Sequence, residues 1–190
     1  EIGEVAREHG ILFHTDGVQA YGHLPIAVDK LHIDLFSASG HKFNGPKGVG
    51  FLYVNRKTTL CSFIHGGQQE RGRRAGTENV PGIVGIAAAA KQAALRMEER
   101  AATERRMRDY LIARIKERIP GAQLTGHKSM RLPGHASFCF EGIEGESALI
   151  MLDMQGICAS GGSACTTGNP GPSHVLQAAG IPEKLARGGA

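Results

Sequence analysis

Short apolar runs of strand type alternate with helix-like segments over residues 1–90, and this alternation constrains the fold more than any single residue does. The runs lie at 11–15, 34–37 and 49–54, and a helix-like segment at 1–9 closes at a glycine. This order predicts an α/β fold with a largely parallel sheet. Polar groups just past the strand ends are therefore candidate ligand contacts, because open α/β sheets bind ligands there.

The second half of the chain follows a different period. Apolar residues recur at three- and four-residue steps from Val80 to Ile119, which predicts a long amphipathic helix that stops at 120–121. The elements expected beyond it are a strand at 136–140, a helix at 146–155, a strand at 157–160 and a short helix at 172–179. They form a small α/β lobe, so we expect two domains, 1–94 and 95–190.

Composition and charge argue against a membrane or nucleic-acid role. The 190 residues are 41% apolar and 21% charged, which is ordinary for a soluble globular chain. No run is apolar for long enough to span a bilayer, and the first residues lack a signal-peptide pattern. The net charge is only +4, and the charged region 96–118 interleaves acidic with basic residues, as a solvated helix face does.

The four cysteines show neither CxxC spacing nor a zinc-type pairing with histidine. Cys139 and Cys158 lie inside apolar runs, where cysteine behaves as a small buried hydrophobe. We interpret the set as reduced thiols of a cytoplasmic protein, one of which is reactive.

A lysine and an aspartate follow two of the predicted strands. Lys42 comes shortly after the run 34–37, and Asp16 comes directly after the run 11–15. Alone, a lysine is usually solvated, and an aspartate after a strand is often a turn former. Together they are what pyridoxal phosphate (PLP) requires: the amine forms a Schiff base, and the carboxylate pairs with the pyridinium nitrogen.

Three neighbours could complete such a site. Ser39 and His41 offer hydrogen bonds to a phosphate, and the small residues around them allow backbone and cofactor to approach closely. Gln19 is either a polar surface residue or a hydrogen-bond partner of the cofactor's phenolic oxygen.

Residues 65–77 form a basic, glycine-rich loop, HGGQQERGRRAGT. Exposed backbone N–H groups and the Thr77 hydroxyl before a helix start are features of an anion cradle. A solvated surface loop has the same composition. The order GxxxxGK[ST] of a P-loop is absent, so nucleotide hydrolysis is not expected.

Cys165 is flanked by glycine and small hydroxyl residues, so its loop is expected to be mobile and open. A nucleophilic thiol needs such access together with some thiolate character. Taken alone, the residue is more readily explained as an incidental loop cysteine.

Together these strings resemble the class V aminotransferase superfamily, and closely the cysteine desulfurases of the NifS/IscS type. They occur in the family's order and spread over nearly the whole chain. The matching strings are HTDGVQA at 14–20, SGHK at 39–42 with GPKG at 45–48, the glycine-rich segments of 65–77, EGES at 144–147, GSACT at 162–166 and PSHVL at 172–176.

The resemblance implies an α/β PLP-dependent transferase fold of the aspartate-aminotransferase type, in which this chain holds part of the large domain and part of the small one. It also implies a homodimer. Lys42 would bind the cofactor as a Schiff base, Asp16 would pair with the pyridinium and Gln19 would contact the phenolic oxygen. Ser39 and His41 would bind the phosphate.

The same resemblance implies that Thr77 reaches the phosphate of the neighbouring subunit's cofactor and that Cys165 accepts sulfur. The implied reaction converts L-cysteine to L-alanine and leaves a persulfide on Cys165. The sulfur would pass to an acceptor protein such as an iron–sulfur scaffold, or to a tRNA-thiolation system. The glycine pair 161–162 would let the thiol swing between cofactor and partner.

Departures from the pattern keep other interpretations open. The family carries about half its length before the first residue of this chain, and its substrate-carboxylate arginine lies beyond the last residues, so we expect a piece of a longer protein. A selenocysteine or cystine lyase shares the lysine loop, although the Ser-Ala-Cys loop favours a desulfurase. A non-catalytic sulfur-transfer fragment and a redox-sensing thiol protein are the alternatives outside PLP chemistry.

Overall fold

The computed structural model describes residues 1–162 and 171–189, which divide into two compact units, Glu1–Arg100 and Ala101–Ala190. The helices and strands of the described residues are, in chain order, α1 (Ile2–Glu8), β1 (His14–Asp16), β2 (Leu35–Ser39), β3 (Gly50–Val54), α2 (Val80–Arg118), β4 (Ala122–Leu124), β5 (Phe138–Phe140), α3 (Gly145–Asp153), α4 (His174–Ala178) and α5 (Glu183–Ala186). Short 3₁₀ helices occupy Gly40–Phe43 and Gln69–Gly72.

The first unit contains a three-stranded sheet in the order β1-β2-β3. Strand β1 runs parallel to β2 and places Asp16 opposite Ser37. Strand β3 runs antiparallel to β2, so the expectation of a largely parallel sheet holds for only one of the two pairings. The connection over residues 40–49 explains the difference, because a crossover to a parallel strand needs about a dozen residues or more.

The two faces of this sheet differ in polarity. Phe36 and Ala38 point to one face, where they form a buried cluster with Ile86 and Ala93 of α2. Alternate residues of a strand point to opposite sides, so Ser37 lies on the other face together with its partner Asp16. The helix therefore covers the apolar face, and the polar face stays open.

Helix α2 confirms the predicted long helix as one continuous element from Val80 to Arg118. It ends shortly before Gly121, which has the positive φ of 81° that glycine adopts without strain. Although α2 is long, no helix in the part of the chain that the structure describes has an apolar stretch suited to crossing a bilayer.

The second unit contains the antiparallel pair β4 and β5, with Gln123 opposite Cys139. The predicted strand at 136–140 is confirmed in its second half, whereas β4 and α5 were not predicted. The prediction of a strand at 157–160 is wrong, because these residues have no regular structure. One edge of β5 pairs with β4, and Cys139 in the middle of β5 also forms a bridge with Gly189.

Two arginines hold the loop that leads into β5. Arg131 donates hydrogen bonds to the carbonyls of Thr125 at 2.7 Å and His135 at 3.2 Å. Arg108 donates to the Leu132 carbonyl at 3.2 Å. Burial and the neighbouring Arg108 lower the pKa of Arg131, and burial and Arg131 lower the pKa of His135. These bonds to carbonyls give the loop a fixed course without a helix or strand.

Candidate active site

Asp16 lies at the carboxyl end of β1, where the sequence predicted a functional carboxylate. One carboxylate oxygen, Oδ1, accepts a hydrogen bond from the Val18 N–H at 2.9 Å, which fixes the side chain against its own turn. The other oxygen accepts no hydrogen bond from the described residues, and the side chain is exposed. Asp16 can therefore pair with a cationic ligand group on the open face of the sheet.

A histidine and a serine continue the polar face beside Asp16. The Nε2 atom of His14 lies 2.8 Å from the Oγ atom of Ser37. His14 pairs with Leu35 in the register, one alternation before Ser37, so its ring leans along the sheet to the level of Asp16. Behind this face, the Phe36 ring fills the place that a side chain at Gly17 would need.

Lys42 lies in the 3₁₀ helix Gly40–Phe43, here called the lysine turn, which begins directly after β2. The lysine is exposed, whereas its neighbour Phe43 is fully buried and anchors the turn in the core. Gly40 allows the tight geometry, because a Cβ atom there would lie 2.9 Å from the Pro46 carbonyl oxygen. The turn closes at Asn44, which has a left-handed φ of 68°.

The other residues predicted near the cofactor also lie at the carboxyl ends of β1 and β2. Ser39 ends β2, and its Oγ lies 3.2 Å from Nδ1 of His41. Gln19 is exposed in the turn that follows β1. Because β1 and β2 are parallel, their carboxyl ends meet at one edge of the sheet, which brings Asp16 and Lys42 to the same edge.

Thr77 lies in the same unit, in the exposed loop before α2. The 3₁₀ helix Gln69–Gly72 in this loop contains two non-glycine residues with left-handed φ, Glu70 at 51° and Arg71 at 59°. Such backbone costs about 1–2 kcal/mol for each residue. The Gly76 N–H donates to the side chain of Gln69 at 3.1 Å, which ties the loop together.

Cys165, the predicted sulfur acceptor, lies outside the described residues. Among the described cysteines, Cys61 and Cys158 are exposed and Cys139 is buried. The expectation of burial is therefore confirmed for Cys139 and wrong for Cys158, which lies in an exposed irregular segment. Burial raises the pKa of the Cys139 thiol, so this cysteine is inert rather than nucleophilic.

Two histidines near the site were not assigned a role from the sequence. His14 bonds to Ser37 across the sheet, and the Nε2 atom of His23 lies 3.3 Å from the Lys42 carbonyl oxygen. Each contact joins residues about twenty positions apart, and no local pattern marks it. Only the pairing of the strands could have suggested the first one.

The model of the aminotransferase class-V family matches residues 1–185. The chain belongs to this family. Curated class V relatives include a protein named cysteine desulfurase IscS from Methanosarcina thermophila, 52% identical over 99% of this chain and 46% of the relative. A protein of the same name from Dictyoglomus turgidum is 47% identical over 99% of the chain and 48% of the relative.

Solved structures give the same picture of this class V chain. A NifS-like protein from Rickettsia africae superposes with a TM-score of 0.89 at 29% identity, covering 99% of this chain and 49% of that one. DndA from Streptomyces lividans superposes with a TM-score of 0.78 at 31% identity, covering 99% and 53%. The α/β PLP-transferase fold expected from the sequence is thus confirmed for the part present. The chain spans about half the length of the curated relatives it matches.

Proposed function

We propose that this chain is part of a PLP-dependent cysteine desulfurase. The observation that carries the proposal is the sheet edge that brings an exposed lysine and an exposed aspartate together, in a chain 52% identical to a protein named cysteine desulfurase. The unit with the lysine turn corresponds to the large domain. The unit that begins at Ala101 corresponds to the small domain.

The donor set at this edge fits PLP. Lys42 would supply the primary amine that binds the aldehyde, and the Asp16 oxygen that accepts no hydrogen bond from the described residues would pair with the pyridine nitrogen. Ser39 and His41, with a hydroxyl and an imidazole 3.2 Å apart, supply donors for the phosphate. Gln19 would donate a hydrogen bond to the phenolic oxygen. When bound, PLP supplies an electron sink for bond breaking at the substrate's α and β carbons.

The residues of the chain then divide the work. With PLP bound, the Asp16 carboxylate would hold the proton on the pyridine nitrogen, and the Lys42 amine would take the proton from Cα of L-cysteine. Cys165 accepts the sulfur atom. The net reaction balances without an external oxidant: L-cysteine and the Cys165 thiol give L-alanine and a Cys165 persulfide, since one C–S bond breaks and one S–S bond forms.

The proposal includes the partners of the reaction. Thr77 is exposed, as a residue must be to reach the phosphate of a second subunit in a homodimer. The persulfide sulfur passes to an acceptor protein of the iron–sulfur scaffold kind or to tRNA thiolation, in the cytoplasm.

Borohydride trapping tests the lysine assignment. The chain is incubated with PLP, reduced and digested, and the pyridoxyl group is located by mass spectrometry. We expect one dominant adduct on Lys42, which the variant Lys42→Ala loses. Lys47→Ala is the matched control, because Lys47 is an exposed lysine a few residues away and its loss leaves the Lys42 adduct unchanged. Adducts scattered over many lysines would refute a specific PLP site in this chain.

A second variant separates the binding of PLP by Lys42 from the acceptance of sulfur by Cys165. Cys165→Ser removes sulfur transfer from L-cysteine but leaves the pyridoxyl adduct on Lys42 intact. Cys61→Ser is its control, because Cys61 is an exposed thiol in the other unit. Sulfide release by Cys165→Ser at the rate of the unmodified protein would contradict the assignment of Cys165 as acceptor.

A further inference from the structure

The segment that follows Asp16 also supports the lysine turn. It is a tight double turn, in which the Ala20 N–H donates to the Gly17 carbonyl at 2.9 Å and the Leu24 N–H to the Ala20 carbonyl at 3.0 Å. Because Val18 is bonded to the Asp16 carboxylate, this segment starts at one functional side chain. Its far end lies against the turn that carries Lys42.

Packing joins the two turns. The Tyr21 ring meets the buried Phe43 ring edge to face, with centroids 4.8 Å apart. Gly22 lies so close that a Cβ atom there would sit 3.0 Å from Cβ of Phe43 and 3.2 Å from Cβ of Ala93. Gly22 also has a positive φ of 79°, which glycine tolerates best. Tyr21 and Gly22 therefore hold residue 23 beside the lysine turn.

His23 makes a polar contact between the two turns. Its Nε2 atom lies 3.3 Å from the carbonyl oxygen of Lys42. A carbonyl only accepts, so this nitrogen must carry the hydrogen. The last carbonyls of a helical turn have no partner within the turn, and Lys42 occupies such a position in Gly40–Phe43. The imidazole of His23 thus satisfies a main-chain group of the functional lysine itself.

We propose that His23 is a positioning residue for Lys42. By bonding to the main-chain carbonyl of Lys42, His23 fixes the backbone position from which the exposed lysine side chain extends. The importance of this position for cofactor binding rests on the proposed function, whereas the ordering of the lysine turn by His23 does not depend on it.

Hydrogen exchange in the cofactor-free chain tests the ordering directly. The amides of Asn44 and Gly45 both donate to the Gly40 carbonyl and report the closure of the lysine turn. His23→Phe keeps the ring but removes the donor, and His23→Gln keeps an N–H donor at similar reach. The exchange of both amides should accelerate about threefold in His23→Phe, as expected for one modest hydrogen bond, and return close to the original rate in His23→Gln.

Amides of strand β3 serve as the internal reference, and His9→Phe, an exposed histidine in the same unit, as the control substitution. A general loss of stability would accelerate β3 as well and would not be rescued by glutamine. Unchanged exchange at Asn44 and Gly45 in His23→Phe, or equal acceleration in both His23 variants, would overturn the proposal.

Trapping at limiting PLP tests the consequence for the cofactor. The initial rate of pyridoxyl labelling at Lys42 should fall about threefold in His23→Phe, recover in His23→Gln and stay unchanged at Lys47. If the original chain shows no specific label on Lys42, the proposed PLP site of this chain is refuted, and the exchange data alone still decide the role of His23. If labelling is specific but identical in all three proteins, the positioning role is refuted and the proposed function stands.

Discussion

At the scale of single residues, two phenylalanines differ widely in burial and should therefore differ in their contribution to stability. Phe36 is 3% exposed and belongs to the core between sheet and helix, whereas Phe63 is 93% exposed. Phe36→Ala should lower the free energy of unfolding by about 3–5 kcal/mol, and Phe63→Ala by less than about 0.5 kcal/mol. Urea denaturation followed by far-ultraviolet circular dichroism measures both. Similar losses in the two variants would show that the 60–65 segment is packed rather than solvated.

The buried thiol of Cys139 gives a pH dependence with a definite sign. Burial raises its pKa above the ordinary value of 9.0, so the folded state holds the proton more tightly than the unfolded state does. The stability from this group is fully present below 9.0 and is lost as the pH rises above it toward the folded pKa.

Unfolding of the second unit should therefore become easier with alkaline pH. Cys139→Ala should flatten this slope, although it lowers stability at neutral pH. Cys158→Ala, which changes an exposed thiol, should leave the slope as it is. Urea denaturation at pH values from neutral to alkaline gives the slopes, and parallel slopes for all three proteins would contradict the role of Cys139.

At the scale of elements, the closure of the lysine turn depends on one left-handed residue. Asn44 ends the 3₁₀ helix with a φ of 68° and a ψ of 20°. An alanine there would pay about 1–2 kcal/mol for this conformation, whereas glycine adopts it freely. Asn44→Ala should therefore be less stable than Asn44→Gly by about 1 kcal/mol, measured by urea denaturation. Equal free energies of unfolding for the two variants would mean that the left-handed conformation of residue 44 does not contribute to the stability of the folded chain.

Some elements could be predicted because their signal is local. The apolar stripe from Val80 to Ile119 predicts α2 from one repeating period, and a glycine closes it as expected. The antiparallel course of β3 could have been inferred from the short connection over 40–49. The error at 157–160 has another origin, because a short apolar run does not by itself specify a strand, and these residues are exposed and have no regular structure.

The candidate site likewise has residues that could be predicted from the sequence and a contact that could not. Lys42 and Asp16 were visible in the sequence because each follows an apolar run, and the parallel pairing of β1 with β2 brings their strand ends to one edge. His23 was not visible, because its contact with Lys42 depends on how two turns pack. The contacts that support a candidate functional residue depend on tertiary packing, even where neighbouring residues in the sequence mark the candidate itself.

At the scale of the whole molecule, many large apolar side chains of the described residues are exposed. In α1 and the segment after it, Ile2 is 72% exposed, Val5 56%, Ile11 63% and Leu12 60%. Scattered apolar residues are ordinary on protein surfaces, but several within one short segment favour association. The strand next to this segment, β1, is also an edge of its sheet, and unpaired edges template further pairing.

We therefore expect the isolated chain to self-associate with rising concentration, as measured by sedimentation velocity. The double variant Ile2→Glu with Val5→Lys should weaken this association without unfolding the chain, because both side chains are exposed and the new pair is an i,i+3 ion pair. The substitutions leave the net charge unchanged. Asp29→Lys with Lys30→Glu, a charge exchange at exposed polar positions of the same unit, is the control and should not alter the association. If the original chain sediments as a monomer at all concentrations, its exposed apolar side chains are solvated individually and do not form a self-association surface.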